Sequence, residues 1–187
     1  LGVAFDTPAP TFRHIEYTPY KAQREKQPED ITIAIPYIKR FVEALDIPIL
    51  ILDGYEADDV IGTIAKKAVK ANPEMVVYMM TPDKDFAQLV EEHVYLYKPA
   101  FMGNGVDIMG VPEVLAKWDI ERIDQVRDIL GLQGDAADNI PGIPGIQGIC
   151  LFIYLSAFVP SKVFNASLYT SCKFTGTPAC AYCRDIL

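Results

Sequence analysis

Cysteine is absent from Leu1 to Ile149, and all four cysteines, Cys150, Cys172, Cys180 and Cys183, fall in the last part of the chain. That absence excludes a disulfide framework for the main body and suits a reducing, cytoplasmic compartment. Basic residues are also in deficit, with 17 Lys and Arg against 25 Asp and Glu and a formal net charge of −8. A simple polycationic nucleic-acid binder is excluded, because Lys and Arg supply most non-specific phosphate affinity. An acidic chain still handles a polyanion when bound cations invert the local field. Long hydrophobic runs are lacking too. The apolar stretch 149–159 falls well short of the roughly 20 residues a membrane-spanning helix needs, so no membrane partner is expected. The opening residues lack the charged and apolar pattern of a secretory signal, and no internal repeat is visible.

What the chain does have is a composition for a packed core, 50% hydrophobic and 22% charged, as in ordinary globular domains. Residues 1–5, 48–52 and 75–80 are short apolar runs that predict buried strands, and amphipathic stretches lie between and after them. Pro28, Glu29 and Asp30 open a predicted helix to about Leu45, with Ile31, Ile35, Ile38, Val42 and Leu45 spaced for one apolar face. Residues 56–71 predict a second helix, followed later by helices over 112–117 and 122–130 and a short one near Ala136. The alternation predicts an α/β layer fold. Beyond Cys150 only Lys162, Lys173, Arg184 and Asp185 are charged, so residues 149–187 form an atypical apolar tail. Its cysteines lack a convincing second pair for zinc.

Each predicted strand ends in acidic residues, and in open parallel sheets the carboxyl ends of strands form the binding rim. Eight carboxylates stand out: Asp6, Glu56, Asp58, Asp59, Asp83, Asp85, Asp135 and Asp138. A single acid at a strand end or helix start is adequately explained as a cap. Three acids at 56, 58 and 59 exceed what one cap requires, and Glu56 and Asp59 share a helix face. So many like charges raise one another's pKa unless cations compensate. Hard oxygen donors suit Mg²⁺ or Mn²⁺, and two such ions roughly 3.5–4 Å apart activate water and stabilise the leaving oxygen of a phosphodiester. Against this acidity, Arg13, Lys21, Arg24 and Lys26 outnumber Glu16 and Glu25 over residues 12–26, a patch able to steer phosphate.

Five strings in order, AFDTPAPTFRH (4–14), YKAQR (20–24), DGYEADDVIGTIAKKA (53–68), TPDKDFAQLV (81–90) and GLQGDAADNIPGIPGI (131–146), carry a resemblance to a known family. The chain resembles the 5′ nuclease (5′-3′ exonuclease) domain of bacterial DNA polymerase I, related to the flap endonucleases. The resemblance implies a PIN-like parallel sheet with flanking helices over 1–110, and a partial helix–three-turn–helix DNA-binding element over 111–148. It implies that Asp6, Glu56, Asp58 and Asp59 serve one metal site and Asp83, Asp85, Asp135 and Asp138 the second, with Mg²⁺ or Mn²⁺ bound. Arg13, Tyr20, Lys21 and Arg24 match the region closing over an unpaired 5′ end, and Lys21 is expected to polarise the scissile phosphate. Gly142, Ile143, Gly145 and Ile146 match a hairpin that grips the duplex backbone, with a possible K⁺ there. The implied substrate is DNA with a 5′ flap, nick or free 5′ end, and the family normally fuses a polymerase downstream.

The match also has edges. The family opens on a strand with a further ligand aspartate ahead of the Asp6 motif, and after Ile146 it continues into a Lys-containing helix. The chain is therefore expected to be truncated at both ends. Its alternative reading is an inactive fragment retaining weak metal or DNA binding, and a PIN-type ribonuclease is disfavoured by the 131–146 string.

Overall fold

The computed structural model describes residues 1–99 and 105–144. The atypical tail, its cysteines and hairpin residues Gly145 and Ile146 lie outside the described residues. Strand β1 (Val3–Ala4) pairs in parallel with β2 (Ile49–Leu50), and β3 (Val77–Met80) pairs in parallel with β4 (Val94–Lys98). A fifth strand, β5 (Asp107–Met109), runs antiparallel to β4. The expected α/β architecture with parallel strand pairs and flanking helices is present, with two further details. Among the described residues the sheet comes as two separate pieces, β1–β2 and β3–β4–β5, and one pair is antiparallel.

Helices fill the connections: α1 (Phe12–Glu16), α2 (Glu29–Ala44), α3 (Ala57–Ala71), α4 (Val111–Trp118) and α5 (Asp124–Gln133). A 3₁₀ stretch over Lys84–Leu89 follows β3. Helix α3 packs on β1, β3, β4 and the 3₁₀ stretch, so it lies against both sheet pieces, and α5 covers the 3₁₀ stretch. The core explains β4. Val94 and Leu96 are fully buried while Tyr95 and Tyr97 face the other way, the period-two alternation of a strand. On that other face Tyr78 stacks on Tyr95 with ring centroids 5.5 Å apart. Ala65, Met79, Phe86, Ala87, Leu89, Val90, Met109, Val114 and Val126 complete the cluster. Gly62 of α3 sits where a Cβ would lie 2.9 Å from Leu89 Cδ1, so that helix and the 3₁₀ stretch approach closely.

Helix α2 departs from expectation. Of the five residues spaced for an apolar face, Val42 is buried, whereas Ile31, Ile38 and Leu45 are exposed. Helical periodicity specified the stripe, and the described residues provide no layer over most of it. The short helix expected near Ala136 is also absent. Residues 135–140 form a tight turn instead, closed by Ile140 N–H donating to Asp135 O at 2.7 Å and Asp135 N–H to Ile140 O at 2.9 Å. Side-chain capping by Asp135, whose Oδ1 accepts from Ala137 N–H, competes with helix as Asx turns do.

Gly134 ends α5 at φ +69°, and a Cβ there would stand 2.6 Å from Ile140 O. Replacing Gly134 by Ala is expected to cost about 2–4 kcal/mol, because backbone rather than a pliable side chain must move. Urea unfolding of the variant would measure this, and a loss under about 0.5 kcal/mol would contradict the packing.

Candidate active site

Acidic side chains gather at the carboxyl ends of the strands. Asp6 follows β1, and its Oδ1 accepts the Ala57 N–H at 2.8 Å, so it caps the start of α3. Glu56 is the N-cap of α3, and Asp59 reaches back to accept the Glu56 N–H at 3.0 Å. Asp83 caps the 3₁₀ stretch by accepting from Asp85 N–H at 2.9 Å. Capping therefore accounts for part of this acidity, as elementary helix electrostatics require.

Capping does not account for the crowding. The Asp58 carboxyl is pushed up to about 6, first by desolvation and then by the charges of Asp83, Glu56 and Asp6. Asp85 is likewise pushed up to about 6, by burial and by Asp83, Asp135 and Asp138, with Lys84 opposing. These mutual effects bring Asp6, Glu56, Asp58, Asp83, Asp85, Asp135 and Asp138 into one electrostatic neighbourhood. One oxygen, Asp85 Oδ1, is buried with no hydrogen-bond partner among the described residues. Beside it a cavity of about 20 Å³ is lined by Lys84, Asp85, Leu130, Gly131, Gly134, Asp135 and Ile140.

Asp59 behaves differently from its neighbours. Arg13 of α1 holds it in a two-pronged pair, Nη1 to Oδ2 and Nη2 to Oδ1, both at 2.7 Å. Burial works against the Asp59 charge, but Arg13, the Glu56 N–H and the field of Lys21 outweigh it and hold the carboxyl below its usual range. Arg13 is buried, with 7% of its surface exposed. Burial opposes its charge as well, and Asp59, Glu56 and Tyr20 raise its pKa nonetheless. Helix α1 is anchored for this by Phe12 N–H donating to Gly54 O at 3.0 Å. Arg13, expected at DNA, and Asp59, expected at a metal, are turned toward each other.

The segment after α1 lies against the 135–139 turn. Lys21 N–H donates to Asp138 O at 3.0 Å, Asn139 Nδ2 to Pro19 O at 2.8 Å, and Tyr17 Oη to Asn139 O at 3.2 Å. Gln23 donates to Ala136 O. This docking aims basic side chains at the acids. Lys21 Nζ donates to Glu56 Oε1 at 2.7 Å and stands 3.9 Å from Asp138 Oδ2, and Arg24 pairs with Asp138 Oδ1. The Tyr20 hydroxyl lies 3.0 Å from Glu56 Oε1 and 3.2 Å from Asp138 Oδ2. Glu56 and Asp138 are buried at 9% and 5% exposure, and Tyr20 at 3%. Tyr20, expected from the resemblance to meet DNA, is buried and turned toward Glu56 and Asp138.

At the hairpin, Ile143 N–H donates to Leu132 O at 2.9 Å, and a Cβ on Gly142 would lie 2.9 Å from the same oxygen. Gly142 and Ile143 are thus packed on the end of α5, and the Ile143 N–H is engaged rather than presented to a phosphate.

The sequence pattern of the family described as 5′-3′ exonuclease, N-terminal resolvase-like domain, matches residues 1–119. The chain belongs to that family. This exonuclease-family domain is 42% identical over 140 residues to a DNA polymerase I from Chloroflexus aurantiacus, covering 74% of the chain and 14% of the polymerase. It is 40% identical over 139 residues to a 5′-3′ exonuclease from Aquifex aeolicus, covering 74% of the chain and 46% of that protein. The chain thus spans a minor part of the polymerases and under half of that exonuclease. A bacteriophage T5 flap endonuclease, crystallised as a pseudo-enzyme-product complex with DNA and metal ions, shares its fold with a TM-score of 0.64. At 20% identity that likeness covers 92% of this chain and 69% of that one.

For the exonuclease-family domain the metal question turns on its own atoms. Donor chemistry fits a hard divalent cation, since the cluster is all carboxylate and Asp85 carries a buried oxygen that accepts from no donor among the described residues. Among the described residues no three acidic, histidine or cysteine side chains converge closely enough to hold an ion unaided. Basic side chains balance the cluster instead.

A pH consequence follows. Asp58 and Asp85 hold protons more tightly folded than unfolded, so between pH 4 and their value of about 6 the folded state binds more protons and stability falls as pH rises. Asp59 is shifted the other way, and its contribution changes below pH 4, outside that window. Metal-free protein is expected to lose about 1–2 kcal/mol between pH 5 and 7.5, a loss kept small because water reaching Asp58 screens part of its interaction with the neighbouring acids. Urea midpoints at the two pH values in chelator would check it. A midpoint that rises with pH would refute it.

Proposed function

We propose that this chain is a divalent-metal-dependent 5′ nuclease that hydrolyses DNA phosphodiesters at a 5′ flap, nick or free 5′ end. The observation that carries the reading is the basic segment Lys21–Arg24 laid directly over buried Glu56 and Asp138, beside the unpartnered oxygen of Asp85. Phosphate affinity and cation affinity thereby meet at one strand-end rim.

Asp6, Glu56 and Asp58 are proposed to serve one cation, and Asp83, Asp85, Asp135 and Asp138 the other, with Mg²⁺ or Mn²⁺ as the ions. Bound there, such ions would activate water and stabilise the departing oxygen. Lys21 supplies positive charge to the reacting phosphate, and Arg24 holds a neighbouring phosphate. Asp59 acts through Arg13 as a brace that fixes the start of α3, and with it Glu56 and Asp58. Tyr20 positions Glu56 and Asp138. The hairpin of Gly142, Ile143, Gly145 and Ile146 is proposed to grip the duplex backbone, with K⁺ as a candidate ion there. A polymerase fused downstream fits the polymerase relatives. No helix of the described residues is long and apolar enough to cross a membrane.

The testing experiment is cleavage of an end-labelled 5′-flap DNA with Mg²⁺ or Mn²⁺, against chelator and against Asp83→Ala. Metal-dependent cutting lost in the variant supports the reading. Folded protein that cuts nothing would leave a fragment with weak metal or DNA binding, the reading favoured by carboxylates that do not converge unaided.

A further inference from the structure

The basic side chains and the proposed metal ligands already satisfy each other. Lys21 Nζ lies 2.7 Å from Glu56 Oε1, and Arg24 pairs with Asp138, the two most buried carboxylates of the rim. Lys21 holds this place at φ +54°, a left-handed conformation that a non-glycine residue adopts only at an energetic cost. Its own N–H bond to Asp138 O and the Tyr20 ring, 4.9 Å from Nζ, help to fix it. Removing Lys21 and Arg24 would leave two buried anions beside Asp58 and Asp85, whose carboxyls already feel like charge.

We propose that Lys21 and Arg24 are internal counter-ions that occupy Glu56 and Asp138 until divalent cations, one at each carboxylate, displace them, and that displacement delivers both basic side chains to the phosphate. This rests on the nuclease reading, whose rim it uses. The exchange keeps buried charge compensated on both sides, since one divalent cation replaces the ammonium at Glu56 and the other replaces the guanidinium at Asp138. It couples the two events. Before the cations bind, Lys21 and Arg24 are spent on carboxylates, so the arm grips a 5′ phosphate only after the metal sites fill.

The full chain would be titrated with Mn²⁺ by electron paramagnetic resonance without DNA, as wild type, Lys21→Met, Arg24→Gln and the control Lys84→Gln. Lys84 is exposed and lies by the same acids without a salt bridge to them, so it reports the effect of the field alone. Losing a competing counter-ion is expected to tighten Mn²⁺ binding roughly fivefold in Lys21→Met and Arg24→Gln, the scale of one partly buried pair. Lys84→Gln is expected to change it less than about twofold. A second measurement uses wild type alone: acetylation of Lys21, read by mass spectrometry, is expected to speed up when Mg²⁺ is added, relative to Lys66 and Lys117. Variants that bind Mn²⁺ no more tightly than Lys84→Gln, or Lys21 labelling unmoved by saturating Mg²⁺, would overturn displacement and leave the nuclease reading standing. A wild-type chain that binds no Mn²⁺ would overturn both.

Discussion

Asp85→Asn is expected to raise the stability of the metal-free protein and to lower cleavage of 5′-flap DNA by about 10³-fold or more, the loss typical of removing an electrostatic group that acts on the reacting centre. Both effects come from one atom. Asp85 Oδ1 is buried and unpartnered among the described residues, and its carboxyl is pushed up to about 6 by burial and by Asp83, Asp135 and Asp138. Asparagine removes the disfavoured charge and keeps the shape, so folding gains. The proposed cation loses an anionic donor, so catalysis fails. Opposite signs in stability and activity mark a group kept for function at a cost to folding. Thermal melts in chelator and single-turnover cleavage in Mg²⁺ would be compared. A variant less stable than wild type would assign Asp85 a structural role, and one that cuts normally would remove it from the proposed site.

Arg13→Met is expected to destabilise the protein by about 3–5 kcal/mol, because it strands the buried Asp59 carboxylate without its guanidinium. Arg13 and Asp59 have side chains only 8% and 11% exposed and meet through two bonds at 2.7 Å. Adding Asp59→Leu is expected to recover most of the loss, since an apolar pair of similar bulk removes the stranded charge. About 1 kcal/mol would remain, because Asp59 also caps the Glu56 N–H. The double-mutant cycle by urea unfolding gives the coupling. Additive losses would show that the pair contributes nothing as a pair. DNA binding separates this brace from a phosphate contact. Arg24→Gln should reduce the slope of log affinity against log salt by about one, while folded Arg13→Met should leave that slope unchanged.

Much of the local structure was legible. Apolar runs marked β1, β2 and β3, while 3.6-residue spacing marked α2 and a composition rich in Ala, Ile, Lys and Val marked α3, both to within a residue or two of their ends. Strand β4 carries its signal in Val94 and Leu96 alternating with Tyr95 and Tyr97, although no strand was expected there. Strand β5 is three residues long, too short for periodicity to register. Helix α1, five residues, escaped for the same reason. The helix expected near Ala136 failed because Asp135 gave the backbone a competing partner.

By itself the sequence determined the family, the three apolar strands β1 to β3 with the longer helices, and the placing of carboxylates directly after those strands. Those depend on neighbours along the chain, where pleat, helical turn and capping act over a few residues. Only the tertiary structure decided which charge meets which. Arg13 reaches Asp59 across 46 residues, Lys21 reaches Glu56 across 35, and Arg24 reaches Asp138 across 114. It likewise decided that Arg13 and Tyr20 turn inward, that Ile143 spends its N–H on Leu132, and that α2 keeps much of its apolar stripe exposed. Coulomb attraction and burial act through space, so a residue's charge can be read from the chain while its partner is chosen by the fold.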